Sequence, residues 1–183
     1  VLAPSSYQEV GRMLEDALSV NDGPVAIRFP KTPARSVAPD EVGFGFAGRV
    51  VRRGADVCLL SVGKLLPEAE AAAEALEAEG ISATVWDVRC VKPLDEAMLA
   101  DAAAHPAVVT MEDGLRDGGA GSAIADAIAR IAAEEHRIGP PVSVLGVPAR
   151  YVPHGKADAI LADLGLDAAG IAAAARQLVA ARS

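Results

Sequence analysis

The sequence predicts an α/β fold: a mostly parallel sheet with helices on both faces. Three observations carry the prediction. From residue 48 onward, short branched apolar runs alternate with longer segments of helical period, the pattern of strands joined by right-handed crossovers. Residues 57–62, Val-Cys-Leu-Leu-Ser-Val, are apolar almost without a break, as in strands covered on both faces. Gly80 stands where the helix over 67–79 must stop, and glycine takes the left-handed cap at little cost.

Residues 4–20 read as a helix. Ser5 or Ser6 can cap it, and Glu9, three residues after Ser6, fits a capping box. Val10, Met13, Leu14, Ala17 and Leu18 recur at helical spacing, and Asn21-Asp22-Gly23 is a stop. Residues 25–29 are short, apolar and branched, hence a strand, ended by Pro30. Residues 31–47 carry Pro33, Pro39, Gly43 and Gly45 with no sustained period, as a linker does. A helix plus one strand cannot build a core alone. Residues 1–34 are therefore expected to be the tail of a preceding domain, packing poorly or borrowing a neighbour. Residues 35–47 are the linker and 48–183 a complete domain. A start at Val1 rather than Met fits a fragment or a processed product.

Within the second unit, 48–52 and 57–62 are predicted strands about an Arg53-Gly54 turn. A helix over 67–79, a strand over 83–88 and a helix over 95–104 capped by Asp95 follow. Then come a strand over 107–111, a helix over 120–137, a strand over 142–145, and short helices over 157–164 and 168–181.

Composition removes several functions. Seventeen Lys and Arg against 25 Asp and Glu leave a net charge of −8, which lacks the basic footprint of a nucleic-acid binder. Aromatics at 3% leave few platforms for stacking bases. Apolar residues at 51% and charged ones at 23% indicate a globular chain and not a disordered one. No apolar run approaches the roughly 20 residues that span a bilayer, and no signal peptide opens the chain, so no membrane partner is expected. Cys58 and Cys90 lie in separate strand-like runs without a CxxC motif, pointing to a reducing, cytoplasmic setting.

Candidates for chemistry are few. His105 and His136 sit near helix ends, where a cation suits the dipole, and His154 sits on a loop after a predicted strand, where parallel sheets bind ligands. None has metal-motif spacing, and a structural role is the simpler reading for all three. No Gly-x-Ser-x-Gly occurs. The run Glu112-Asp113-Gly114 through Gly118-Gly119-Ala120-Gly121-Ser122 joins a strand to a helix but matches neither the dinucleotide fingerprint nor the P-loop. It reads as a tight loop with close helix–sheet packing. Asp87 and Arg89 point to one side of an extended chain, able to pair with each other or across a neighbouring surface; a structural ion pair is the expected role. Arg28, Lys31 and Arg35 form a small basic cluster at a strand end. Such a cluster can hold a phosphate or carboxylate, although solvation is the default for a loop.

Taken in order, Gly23-Pro24-Val25-Ala26-Ile27-Arg28-Phe29-Pro30-Lys31, Asp87-Val88-Arg89-Cys90-Val91-Lys92-Pro93-Leu94-Asp95, the glycine loop and Leu164-Gly165-Leu166-Asp167-Ala168-Ala169-Gly170-Ile171 resemble a known family. The chain is similar throughout to the C-terminal part of the 1-deoxy-D-xylulose-5-phosphate synthases, which are transketolase-like and depend on thiamine diphosphate. The resemblance implies a transketolase C-terminal domain over 48–183 and the end of a pyrimidine-binding domain over 1–34. It implies thiamine diphosphate and Mg²⁺ in the full-length enzyme, a homodimer, and N-terminal domains of the same enzyme as partners. No catalytic, cofactor-binding or metal residue is expected on this chain. The family's diphosphate site uses Gly-Asp-Gly and a downstream Asn; no Gly-Asp-Gly occurs here, and the only Asn is Asn21. One position carries over: the second Arg of the family's Arg-Tyr-Pro-Arg-Gly holds the aldehyde phosphate, and Lys31 stands there, in Arg28-Phe29-Pro30-Lys31-Thr32. Lys keeps the charge and loses the bidentate fork. Arg28 reads better as a structural residue. Two rival readings share this fold: a stand-alone, non-catalytic interaction module, and the C-terminal domain of a 2-oxoacid dehydrogenase β subunit.

Overall fold

A computed structural model describes residues 1–182. After helix α1 (Tyr7–Leu18) and a 3₁₀ turn at Pro39–Glu41, strands and helices alternate: β1 (Arg49–Arg52), β2 (Val57–Ser61), α2 (Leu66–Glu77), β3 (Ala83–Asp87), α3 (Glu96–Ala104), β4 (Val108–Leu115), α4 (Ala120–Glu134), β5 (Val142–Val147), α5 (Ala157–Asp163) and α6 (Ala168–Ala180). The five strands form one sheet in the order β1-β3-β2-β4-β5. β2, β3, β4 and β5 run parallel, and β1 pairs antiparallel with β3 at one edge.

The continuous apolar strands do what two-sided cover requires. On one face Val57, Leu59, Val85, Val109 and Met111 pack against Leu66, Ala69, Ala73 and Leu76 of α2 and Ile171, Ala172 and Ala175 of α6. On the other, Cys58, Leu60, Trp86 and Val108 meet Met98, Leu99 and Ala102 of α3 and Ile124 and Ile128 of α4. Each fully buried Leu or Val contributes about 1.5–3 kcal/mol. Alanine on the helix faces lets the backbones lie close to the sheet. Asp95 caps α3 by accepting from Ala97 and Met98 N–H, and its other oxygen takes Gly48 N–H at 2.7 Å.

The first 47 residues depart from the sequence reading in three ways. The strand over 25–29 reduces to a single bridge, Ile27 to Leu2, because prolines at 24 and 30 bracket it and its one neighbour is three residues long. The capping box is half made. Ser6 Oγ accepts from Glu9 N–H at 3.2 Å, but the Glu9 carboxylate turns inward to Arg89. Packing is poor on only one side of α1: Leu14 and Leu18 are exposed, whereas Glu9 and Met13 are fully buried. Met13 joins Leu2 and Cys90 in a third small core, flanked by Ala17, Val25, Ile27 and Phe46. Among the described residues no helix is long and apolar enough to cross a membrane.

Candidate functional site

In a doubly wound sheet, ligands bind outside the carboxyl ends of the strands, where successive crossovers change face. Here α2 covers one face and α3 and α4 the other, so that crevice lies beyond β2 and β4. It is filled by the chain's own start. Ala3 packs with Val62 and Val88, and the Pro4 carbonyl lies against Gly63, whose φ of +61° turns the chain out of β2. What remains is a hollow of about 220 Å³ lined by residues that include Leu2, Arg28, Glu112 and Gly114.

The glycine loop explains itself locally. A methyl group on Gly121 would lie 2.5 Å from Thr110 Oγ1 and 2.7 Å from Val144 Cγ1, so α4 can approach the sheet only with glycine there. Glu112 Oε1 accepts from Gly121 N–H at 2.8 Å and occupies the place an anion would take. Close packing is therefore the role of this loop.

The predicted basic cluster is divided by its partners. Arg28 is paired with the Asp113 carboxylate and reaches the Asp113 carbonyl at 3.3 Å, a tether of the 26–31 segment to the last residues of β4. Arg35 is paired with Glu70 of α2. Lys31 is exposed on a bend and lines a hollow of about 840 Å³ together with Tyr7, Phe29, Lys64 and Pro67. His154 lies on a different, open hollow of about 440 Å³ beside Arg150, Tyr151 and Lys156. The structure does not bring Lys31 and His154 to one cavity. His136 is exposed past the end of α4, with a left-handed φ of +55°.

Buried charge gathers elsewhere, at the end of β3. Ser5 Oγ donates to Asp87 Oδ2 at 2.6 Å, while Asp87 Oδ1 has no hydrogen-bond partner among the described residues. Burial pushes the Asp87 carboxyl up to about 7; the Ser5 hydrogen bond opposes this, the nearby Glu9 adds to it, and Arg49 and Arg89 pull the other way. Arg89 Nε donates to Glu9 Oε2 at 2.9 Å, with side chains 0% and 1% exposed. Asp87 and Arg89 thus face partners across a surface and do not pair with each other. Glu9 is the residue the sequence reading missed; its capping-box position concealed it. The basic partner Arg89 and the glycine at 43, which leaves room for the guanidinium, were the available signals.

Cys58, Asp101 and His105 have donor atoms within 4.8 Å of one another. All three roles are already taken. Asp101 accepts from Trp86 Nε1 at 2.7 Å and from Arg53 at 3.1 Å, and the Arg53 cation would repel a metal. His105 Nδ1 faces the Asp101 carbonyl at 2.7 Å and Nε2 faces Thr84 Oγ1 at 2.9 Å. Burial raises the Cys58 thiol pKa, so it stays protonated. The cluster is a structural knot that closes α3 onto β2 and β3. Neither this set nor Asn21, whose amide donates to the Ser19 carbonyl, supplies the hard oxygen ligands that Mg²⁺ and a diphosphate need. These two groups do not fit that cofactor.

Comparison with known proteins agrees with this geometry. The chain is 36% identical to the 1-deoxy-D-xylulose-5-phosphate synthase of Magnetococcus marinus over 98% of its length. It is 42% identical over its full length to that of Anaeromyxobacter dehalogenans. It spans 29% of the length of each. Among solved structures it is similar to a split-gene transketolase described as an inactive β4 tetramer, with a TM-score of 0.82 and 31% identity over 98% of this chain and 56% of that one. A transketolase of Pichia stipitis shares the fold alone, with a TM-score of 0.53 and 19% identity over 74% of this chain and 18% of that one. Residues 47–171 match the family described as transketolase, C-terminal domain, and they begin where the structure begins its sheet. The α/β sheet covered on both faces and this match together place the chain in the transketolase C-terminal domain family.

Proposed function

We propose that this chain is the C-terminal part of a 1-deoxy-D-xylulose-5-phosphate synthase and is not catalytic alone. The observation that carries the reading is similarity at 36–42% identity along the whole chain to synthases of which it spans 29%. The full-length enzyme joins pyruvate to glyceraldehyde 3-phosphate, with loss of CO₂, an entry step of isoprenoid synthesis. Thiamine diphosphate and Mg²⁺ supply that carbon–carbon chemistry from the domains that precede this one. Residues 1–34 end the pyrimidine-binding domain, 35–47 cross over, and 48–183 buttress the active site and extend a homodimer interface in the cytoplasm.

This chain's own contribution to substrate binding is Lys31. Arg28 and Arg35 are neutralised by Asp113 and Glu70, while Lys31 stands exposed at the hollow. Its ammonium is available to the phosphate of the aldehyde. A charge-assisted hydrogen bond is worth about 1.5–3 kcal/mol. Lys31→Ala in the full-length enzyme should therefore lower kcat/KM for glyceraldehyde 3-phosphate by roughly 10- to 150-fold, with pyruvate binding little changed. Unchanged aldehyde kinetics would return Lys31 to the status of a solvated loop residue. The purified 183-residue chain, given pyruvate, aldehyde, thiamine diphosphate and Mg²⁺, should form no product; turnover above background would refute the fragment reading.

A further inference from the structure

We propose that Arg89 is a positioning residue that fixes the 26–31 segment, and Lys31 at its end, relative to the five-stranded sheet. The functional part of this inference rests on the reading of Lys31 given above.

The backbone of Arg89 makes the first connection. Its φ is +55°, a left-handed conformation that few non-glycine residues adopt. The turn presents the Arg89 carbonyl to Ala3 N–H at 2.8 Å, and Val91 N–H donates to the Val1 carbonyl at 2.9 Å. The other edge of that short strand holds the segment in question: Leu2 N–H donates to the Ala26 carbonyl and Arg28 N–H to the Leu2 carbonyl, both at 2.8 Å. Residues 26–28 thus hang from residues 89–91 through residues 1–3. Lys31 follows three residues beyond the last rung.

The side chain makes the second connection, in the opposite direction. Nε binds both Glu9 oxygens of α1, at 2.9 and 3.1 Å. Nη1 donates to the carbonyls of Phe44, Gly45 and Ala47, at 3.2, 3.1 and 2.6 Å. Gly43 N–H donates to Glu9 Oε1 at 2.7 Å, and a side chain on Gly43 would collide with the guanidinium. One fully buried residue therefore ties α1, the crossing segment and the ladder to the end of β3. Stability alone is a poor account of such a device, since a buried ion pair is often matched by a well-packed apolar pair. A rigid fork reaching four groups on two separate segments is suited to fixing position.

The test uses Arg89→Lys, which keeps the charge but cannot span Glu9 and three carbonyls, and the double variant Glu9→Gln/Arg89→Met, which removes both charges of the buried pair together. In the full-length enzyme, KM for glyceraldehyde 3-phosphate should rise about 10-fold, with kcat and the pyruvate KM little changed. Activity on unphosphorylated glyceraldehyde, which offers Lys31 nothing, should be unaffected. A purely structural role would lower kcat for both aldehydes alike with KM unmoved, and that pattern overturns the proposal. In the 183-residue chain, the hydrogen-bonded amides of Leu2, Ala3 and Arg28 should exchange at least about 10-fold faster in Arg89→Lys, with Val57–Ser61 unchanged. Unchanged exchange at those amides also overturns it. If exchange rises while Lys31→Ala leaves the aldehyde KM alone, the clamp on 26–31 stands and the reading of Lys31 falls.

Discussion

Asp87 is a carboxylate enclosed by the fold, and among the described residues only one of its oxygens is hydrogen-bonded, to Ser5. Burial raises its folded pKa from 3.8 to about 7, so the folded state holds a proton that the unfolded chain releases. The stability this proton confers is complete below about pH 4 and is lost as pH rises through 7. Asp87→Asn keeps an acceptor for the Ser5 hydroxyl and removes the titration. We expect the variant to be more stable than the parent at pH 8, by on the order of 2–4 kcal/mol, with the gap closing toward pH 4. Urea midpoints of both proteins at the two pH values test this; an equal gap at both would show that Asp87 does not titrate as described. Asp87 and Arg89 were legible as a pair of interest because an extended chain sets alternate residues on one side. Their partners were not, since Ser5 and Glu9 lie 82 and 80 residues away and no local pattern encodes that distance.

At the scale of elements, the same residue type has opposite value in two helices. Gly11 lies inside α1 with nothing within 4 Å of where a side chain would begin, so it only weakens the helix. Gly121 lies at the start of α4 against Thr110 and Val144. Gly11→Ala should stabilise the chain by about 0.5–1 kcal/mol. Gly121→Ala should destabilise it by about 1–3 kcal/mol, overpacking outweighing the gain in helix propensity. Chemical denaturation of the two variants decides the matter, and shifts of the same sign would contradict the packing described at α4. This contrast also marks what the sequence could convey. The glycine loop read correctly as a site of close packing, because glycine between a strand and a helix has few other uses. Strands β2 to β5 were legible because a sheet covered on both faces needs unbroken apolar runs. The strand over 25–29 was misread because its composition is strand-like, while its pairing depends on a three-residue neighbour from the chain's start.

At the scale of the molecule, the division near residue 47 separates sequence patterns more cleanly than it separates packing. The sheet and its helices form two cores of their own. Yet Ala3 belongs to one of them, and Leu2 and Met13 share the third with Cys90. Residues 1–47 also supply every hydrogen-bonding partner of the Arg89 guanidinium and the hydroxyl that faces Asp87. A chain cut to residues 48–183 would keep its five strands and lose those partners. Burial of Leu2 and Met13 alone is worth about 3–6 kcal/mol, at 1.5–3 each. Water reaching Arg89 and Asp87 would relieve the buried charges and return part of that loss. We expect residues 48–183 to fold, with a stability about 2–5 kcal/mol below that of residues 1–183 by urea denaturation at pH 7. They should also show faster exchange at Val88 and Cys90 than at Leu59 and Leu60, because only the former pair faces the vacated side. Equal stability of the two chains would mean that the first 47 residues rest on the sheet without bracing it, and the boundary at 47 would then be a boundary of energy as well as of sequence.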